Sequence, residues 1–237
     1  MRVFWAIVLV LLLGGGAAAF LNRPETKAAA NAVDASESPP PPHTPAPLPS
    51  TDGPFELPTT AAFPLDKMIP AKAIRKGGEI VIDDKYHVRG AGTATDPYVV
   101  PFDLLMSAQD WYDPRKGLSK MPQRVAFLHE KYVKLVGYVA FPITSNDPKE
   151  MLIMFNQWDG CCIGVPPTAY DAVETKLTSA VVGDDKFMTF GSSTGIFKVD
   201  PYVDNGWLLG LYTMEHADLT EDHSEPVMPK LAPQEEY

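Results

Sequence analysis

The chain has 237 residues, with 30 acidic against 20 basic side chains and a formal net charge of −10. That balance argues against binding a phosphate backbone, which needs Lys and Arg to replace counterions. It equally disfavours tight docking on anionic headgroups, and otherwise serves solubility.

Val3 through Leu21, nineteen residues, carry no charge. At about 1.5 Å rise each they would make a helix of roughly 28 Å, close to the thickness of a hydrocarbon core. The densest part, VFWAIVLVLLL from Val3 to Leu13, is followed by Ala17-Ala18-Ala19. With Arg2 in front, that order also fits a secretory signal with a small-residue cleavage site. Residues 1–21 are therefore expected to be a transmembrane anchor or a signal peptide. Either one delivers the rest of the chain across the membrane. Arg2 on one side and Arg23 and Lys27 on the other give only a weak charge bias for orientation. No lipobox cysteine follows the apolar run, which disfavours a lipoprotein.

Residues 22–76 read as a disordered Pro-rich linker. They hold Pro39–Pro42, then Pro45, Pro47, Pro49, Pro54, Pro58, Pro64 and Pro70. Few large apolar clusters offset the ordering entropy of such a segment. Proline biases it toward polyproline II, so it reads as a spacer that could reach on the order of 100 Å. The folded part is expected over 77–219, an ordinary single-domain length. An acidic, disordered tail is expected over 220–237.

Within the folded part, Glu79 to Asp83 has the length of a strand. Gly90 to Thr93 (GAGT) is a bend, without the spacing of a phosphate-binding loop. Pro101 opens a helix through Tyr112 with Phe102, Leu105 and Met106 on its packing face. Val125 to Leu128 (VAFL) reads as a short strand. Tyr132 to Phe141 reads as a longer one, with Val133, Leu135, Gly137 and Val139 on one face and the mid-strand glycine permitting a tight bend. Glu150 to Trp158 is nearly continuous in apolar side chains and reads as a buried central strand. Tyr170, Val173 and Leu177 have helical spacing, which predicts a helix over Ala169 to Leu177. Further strands are expected from Phe187, Gly195 and Gly206, the last ending at Leu219. The expected class is mainly β with short helices (α+β). The order of elements matches a small OB-like Greek-key barrel, in which a helix joins the third and fourth strands. The alternative is another β-rich α+β domain whose first helix packs on an open sheet.

The conspicuous segment is Gln157 to Pro167, QWDGCCIGVPP, with the only two cysteines of the chain. Asp159-Gly160 is a turn dipeptide, and Pro166-Pro167 forces extended geometry. A disulfide between the adjacent Cys161 and Cys162 needs a strained eight-membered ring. The frame LHEKYVKLVGYVAFP, a hydrophobic strand and then GCCIGVPP resembles a family of exported bacterial proteins, the domain of unknown function 3299. That family's usual frame is LxGKxVxLxGYxxP followed by GACIHVPPPP. The resemblance covers roughly Arg124 to Leu177 plus the closing strands. It implies an exported OB-like domain and no established activity. In it Gly160, Cys162, Ile163, Val165, Pro166 and Pro167 occupy motif positions. Cys161 stands where alanine is usual and Gly164 where histidine is usual, so a Cys-x-His pair is missing.

Four chemistries compete for this segment. A thiophilic metal such as zinc or copper on Cys162 and Cys161 would need further donors. His43, His87, His129, His216 and His223 are the available imidazoles. Thiol redox work ordinarily uses Cys-x-x-Cys at a helix N-terminus, a spacing absent here. Buried cysteines acting as small hydrophobes are the plain structural reading. Trp158 and Asp159, with Tyr138 and Trp207, could line a ligand groove, although barrel aromatics more often fill cores. Ser192-Ser193 lies in a GSSTG turn without a nucleophile elbow. No catalytic residue is assigned.

The expectation is a non-enzymatic, membrane-tethered extracytoplasmic binding or accessory domain without a cofactor, serving an envelope transport assembly. The alternative is a metal- or thiol-handling protein centred on Cys162. Its expected partners are the membrane, through the N-terminal helix, and an envelope protein, with no nucleic acid. Its expected place is the bacterial inner membrane, single-pass, with the domain periplasmic; a cleaved leader would leave it free in the periplasm.

Overall fold

A computed structural model describes residues 52–142, 147–158 and 164–222. Residues 1–51 and 223–237, with the anchor expected over 1–21, lie outside the described residues. Among the described residues no helix is long and apolar enough to cross a membrane.

Ten strands make one sheet. They are β1 (Gly53–Pro54), β2 (Ala73–Lys76), β3 (Glu79–Ile82), β4 (Tyr86–Arg89), β5 (Tyr98–Val99), β6 (Lys131–Ala140), β7 (Glu150–Met154), β8 (Ala172–Leu177), β9 (Phe190–Asp204) and β10 (Trp207–Glu221). The helices are short: α1 (Phe102–Met106), continued by a 3-10 turn Ser107–Asp110, and α2 (Gln123–Ala126). The protein is thus mainly β with few short helices.

β6 organises the sheet. One edge pairs antiparallel with β9 from Lys131↔Phe197 to Tyr138↔Phe190. The other is divided: Val133 and Lys134 pair parallel with β5, whereas Tyr138 to Ala140 pair antiparallel with β7. From β7 the pairings pass to β8, from β8 in parallel to β10, and from β10 antiparallel to β9. The sequence β6-β7-β8-β10-β9 therefore returns to β6. From β5 a meander of short strands leads outward to β1.

Alternation explains β6. Val133, Leu135, Gly137 and Val139 are buried while their neighbours are half-buried, as the two-face reading of this strand requires. Gly137 sits where the divided edge passes from β5 to β7. A Cβ there would overlap the Met154 carbonyl oxygen and lie 2.9 Å from the Phe102 ring. Close approach is thus a second reason for glycine at this position.

Three expectations are corrected. Residues 169–177 do not form a helix; β8 occupies Ala172–Leu177, with Val173, Thr175 and Leu177 buried. Val173 and Leu177 are four apart, a spacing that suits a helix turn and a strand face equally, and Thr175 between them settles the strand. Val125 to Leu128 is not a strand. Its first two residues belong to α2 and all four are buried, and a short continuous apolar run carries no period by which to tell the two states apart. The GSSTG segment is not a turn either: Ser192 and Ser193 are buried inside the fifteen-residue β9. Gly191 and Gly195 let β10 approach, with the Thr220 and Glu215 carbonyls at 2.9 and 2.8 Å from where a Cβ would sit.

Of the segment expected as linker, residues 53–76 contribute β1 and β2, and Leu57 and Met68 are buried in the core. Their apolar side chains are spaced among prolines, so no periodicity marks them. One contiguous core links these residues with Ile80, Leu105, Phe127 and Phe197. Two polar contacts tie its parts together. The buried Tyr212 hydroxyl donates to the Leu105 carbonyl at 2.8 Å, and burial pushes its phenol well above the usual tyrosine range. Arg124 donates to Ser107 Oγ at 2.8 Å and to Asp83 Oδ2 at 3.2 Å, joining α1, α2 and the turn after β3.

Gly137→Ala is expected to cost about 1–3 kcal/mol, because the added methyl has no room at the divided edge. Urea unfolding checks this; an unchanged midpoint would remove the close-approach argument.

Candidate functional site

The connection from β7 to β8 carries the motif. Its first and last parts are described; Asp159, Gly160, Cys161, Cys162 and Ile163 lie outside the described residues. Trp158 forms an isolated antiparallel bridge with Gly164, and the Val165 amide donates to the Gln157 carbonyl at 3.0 Å. The two cysteines therefore belong to the five residues that join a bridged pair. Trp158 is half-buried, Gly164 and Pro166 are exposed, Pro167 is half-buried, and Val165 is 57% exposed.

Gly164 has φ +96°, and a Cβ on it would overlap the Gln157 carbonyl oxygen. Only glycine takes this conformation without strain. The bridge to Trp158 brings two backbones too close for a histidine or any other side chain at this position.

After the prolines the chain is locked by Asp171. Its carboxylate, on a residue only 6% exposed, accepts from the Thr168 amide at 2.5 Å and from the Thr168 hydroxyl at 2.9 Å. The Tyr170 hydroxyl then donates to the Tyr112 carbonyl at 2.7 Å. Burial raises the Tyr170 phenol, aided by the charge of Asp113. These bonds fasten the β7–β8 connection to the hairpin in which Tyr112–Asp113 pairs with Leu118–Ser119.

The tip of that hairpin meets a second one. Arg115 lies with its guanidinium 3.8 Å from the Trp207 ring centroid, at the turn between β9 and β10. Asp113 caps the turn by accepting from the Arg115 amide at 3.1 Å, and its carboxylate is bound by Lys116 at 3.0 Å. The Lys116 hydrogen bond holds the Asp113 carboxyl below the usual range. β7 and β9 both run antiparallel to β6, so their following connections leave the closed set of strands at one end.

Of the four residues of the expected groove, Asp159 lies outside the described residues, and Tyr138 and Trp207 are not brought together. Tyr138 packs edge-on against Phe190, at the start of β9, whereas Trp207 follows the end of that strand. No sequence signal separated them, because the length of β9 was hidden by its glycines. Arg115 was missed for a different reason: an isolated Arg in a Pro-Arg-Lys-Gly turn has no motif around it. The three histidines among the described residues are also dispersed. His129 Nδ1 accepts from the Val199 amide at 3.1 Å, His87 contacts Glu79 at 2.9 Å, and His216 is exposed. Among the described residues no group of three His, Cys, Asp or Glu could hold a metal ion.

Gly164→Ala and Gly164→His are expected to open the Trp158–Gly164 bridge, since a side chain at this φ is strained and obstructed. Amide exchange at Val165 should quicken in both; unaltered protection would show that the bridge tolerates a side chain.

No protein-family model matches the chain, and no curated protein matches it. Among solved structures the chain is similar to the crystal structure of a DUF3299 family protein from Pseudomonas aeruginosa PAO1, at 22% identity. The likeness covers 52% of this chain and 83% of that one, with a TM-score of 0.33.

Proposed function

We propose that this protein is an exported, membrane-tethered binding or accessory domain of the bacterial envelope, built on an OB-like barrel and belonging with the domain of unknown function 3299 proteins. The observation that carries the barrel reading is the return of β6-β7-β8-β10-β9 to β6, with β8 and β10 parallel. An OB barrel has this five-strand Greek-key plan. A 3-10 turn, Gly183–Phe187, stands in the connection where that plan has its helix. GCCIGVPP supports the family. The charge-free run Val3 to Leu21 and the Pro-rich stretch after it support tethering at the inner membrane with the domain on the periplasmic side.

Such barrels offer loops for recognition, and many unrelated ligands have been fitted to one plan. The acidic balance of this chain favours a protein partner over nucleic acid. Service to an envelope transport assembly suits a domain held on a spacer away from the bilayer.

In cells, the full chain should sediment with membranes, and its C-terminal domain should be cut by trypsin only after the outer membrane is opened. A soluble, protease-shielded chain in spheroplasts would overturn tethering and export together.

The second reading, a thiol- or metal-handling protein, is favoured by one observation: Cys161 and Cys162 fall in the short connection between the bridged Trp158 and Gly164. It predicts stoichiometric zinc or copper in protein purified under reducing conditions, lost in Cys162→Ser. Metal-free protein with unreactive native thiols would eliminate it.

A further inference from the structure

We propose that the Arg115–Trp207 pair, with Trp111 and Tyr202 from the same two hairpins, is a docking site for an acidic peptide segment of a partner protein. The proposal rests on the reading of the domain as a binding module and names the chemistry of its partner. Its first support is the state of Arg115. The residue is exposed and stacked at 3.8 Å on Trp207, and among the described residues its guanidinium has neither an ion pair nor a hydrogen bond. A guanidinium held over a ring face can still present its N–H donors to a carboxylate through two parallel bonds.

The nearby acids do not fill that role. Asp113 is bound by Lys116 at 3.0 Å, and the Asp204 carboxylate accepts from Asn205 at 3.3 Å. Lys120, in the same hairpin, is exposed and likewise has no ion pair among the described residues. The net charge of −10 does not forbid an acidic ligand here. At physiological salt, charges farther than about 8 Å are largely screened, so the local cation decides.

The second support is apolar. Trp207 is 54% exposed, Tyr202 and Val203 are 40% and Trp111 is 39%. They come from two hairpins clasped tip to tip, and they are half of the eight large hydrophobic residues exposed among the described residues. Exposed aromatics on the two hairpins that the Arg115–Trp207 contact joins have the composition of an interaction hot spot. A side chain flanking the partner's carboxylate would rest against the indole and phenol faces.

The test uses the detergent-solubilised full chain and a ten-residue peptide of alternating Glu and Phe carrying an uncharged fluorophore, read by anisotropy. Saturable binding is expected, weakened about tenfold or more when Gln replaces Glu in the peptide or when Arg115→Gln is made in the protein. Arg115→Lys should keep only part of the affinity, because a point charge lacks the fork. The exposed Arg115→Gln variant is decisive even if Trp207→Ala disturbs the hairpin, and circular dichroism monitors that. No saturable binding, equal binding of the Gln peptide, or an unchanged Arg115→Gln protein would each overturn the proposal. Because the assay does not depend on export, its failure leaves the fractionation result, and the reading tested there, separately legible.

Discussion

The two edges of β6 are the constraint on which the rest of this structure depends. One edge is committed to β9 over eight residues, from Lys131 to Tyr138. The other is shared between β5 and β7, with Gly137 at the division. A strand has only two hydrogen-bonding edges, so serving three neighbours requires that one edge be divided. Division lets the same strand close one set of pairings and carry the outer meander. It also places the Phe102 ring and the Met154 carbonyl against one backbone position. Glycine at 137 is the local chemistry that makes this packing possible.

From that arrangement the distribution of chemistry follows. The closed set of strands is filled by ordinary core packing, with Phe197 and Tyr212 rings 5.4 Å apart and the Tyr212 hydroxyl reaching α1. The buried Asp171 carboxylate is paired locally, with Thr168. The less regular chemistry collects where β7 and β9 end. There the cysteine-bearing connection, the Arg115 hairpin and the Trp207 turn are linked by the Tyr170–Tyr112 hydrogen bond and the Arg115–Trp207 stack. Loops at one end of a rigid set of strands are the usual place for recognition, since their sequence varies without cost to the core.

The elements that were legible had an unambiguous period. β6 alternates from Tyr132 to Ala140, and its burial follows the pattern read from its side chains. β3 and α1 were marked by an apolar run and by Pro101. The failures are equally physical. Val173 and Leu177 fit two periods at once; Val125 to Leu128 fit none. In β9, Gly191 and Gly195 resembled turn residues, yet they serve close contact between strands. The prolines around Leu57 and Met68 concealed the contribution of both to the core.

The sequence by itself determined the β-rich class, the charge-free opening run, the acid excess and the position of the two cysteines, because each depends on composition or short-range order. Tertiary structure alone decided which strands meet: that β6 serves three neighbours, that β8 runs beside β10, and that Arg115 lies on Trp207 across ninety-two positions of chain. Such contacts arise from the pairing of distant edges, and no local pattern of side chains encodes the distance between them.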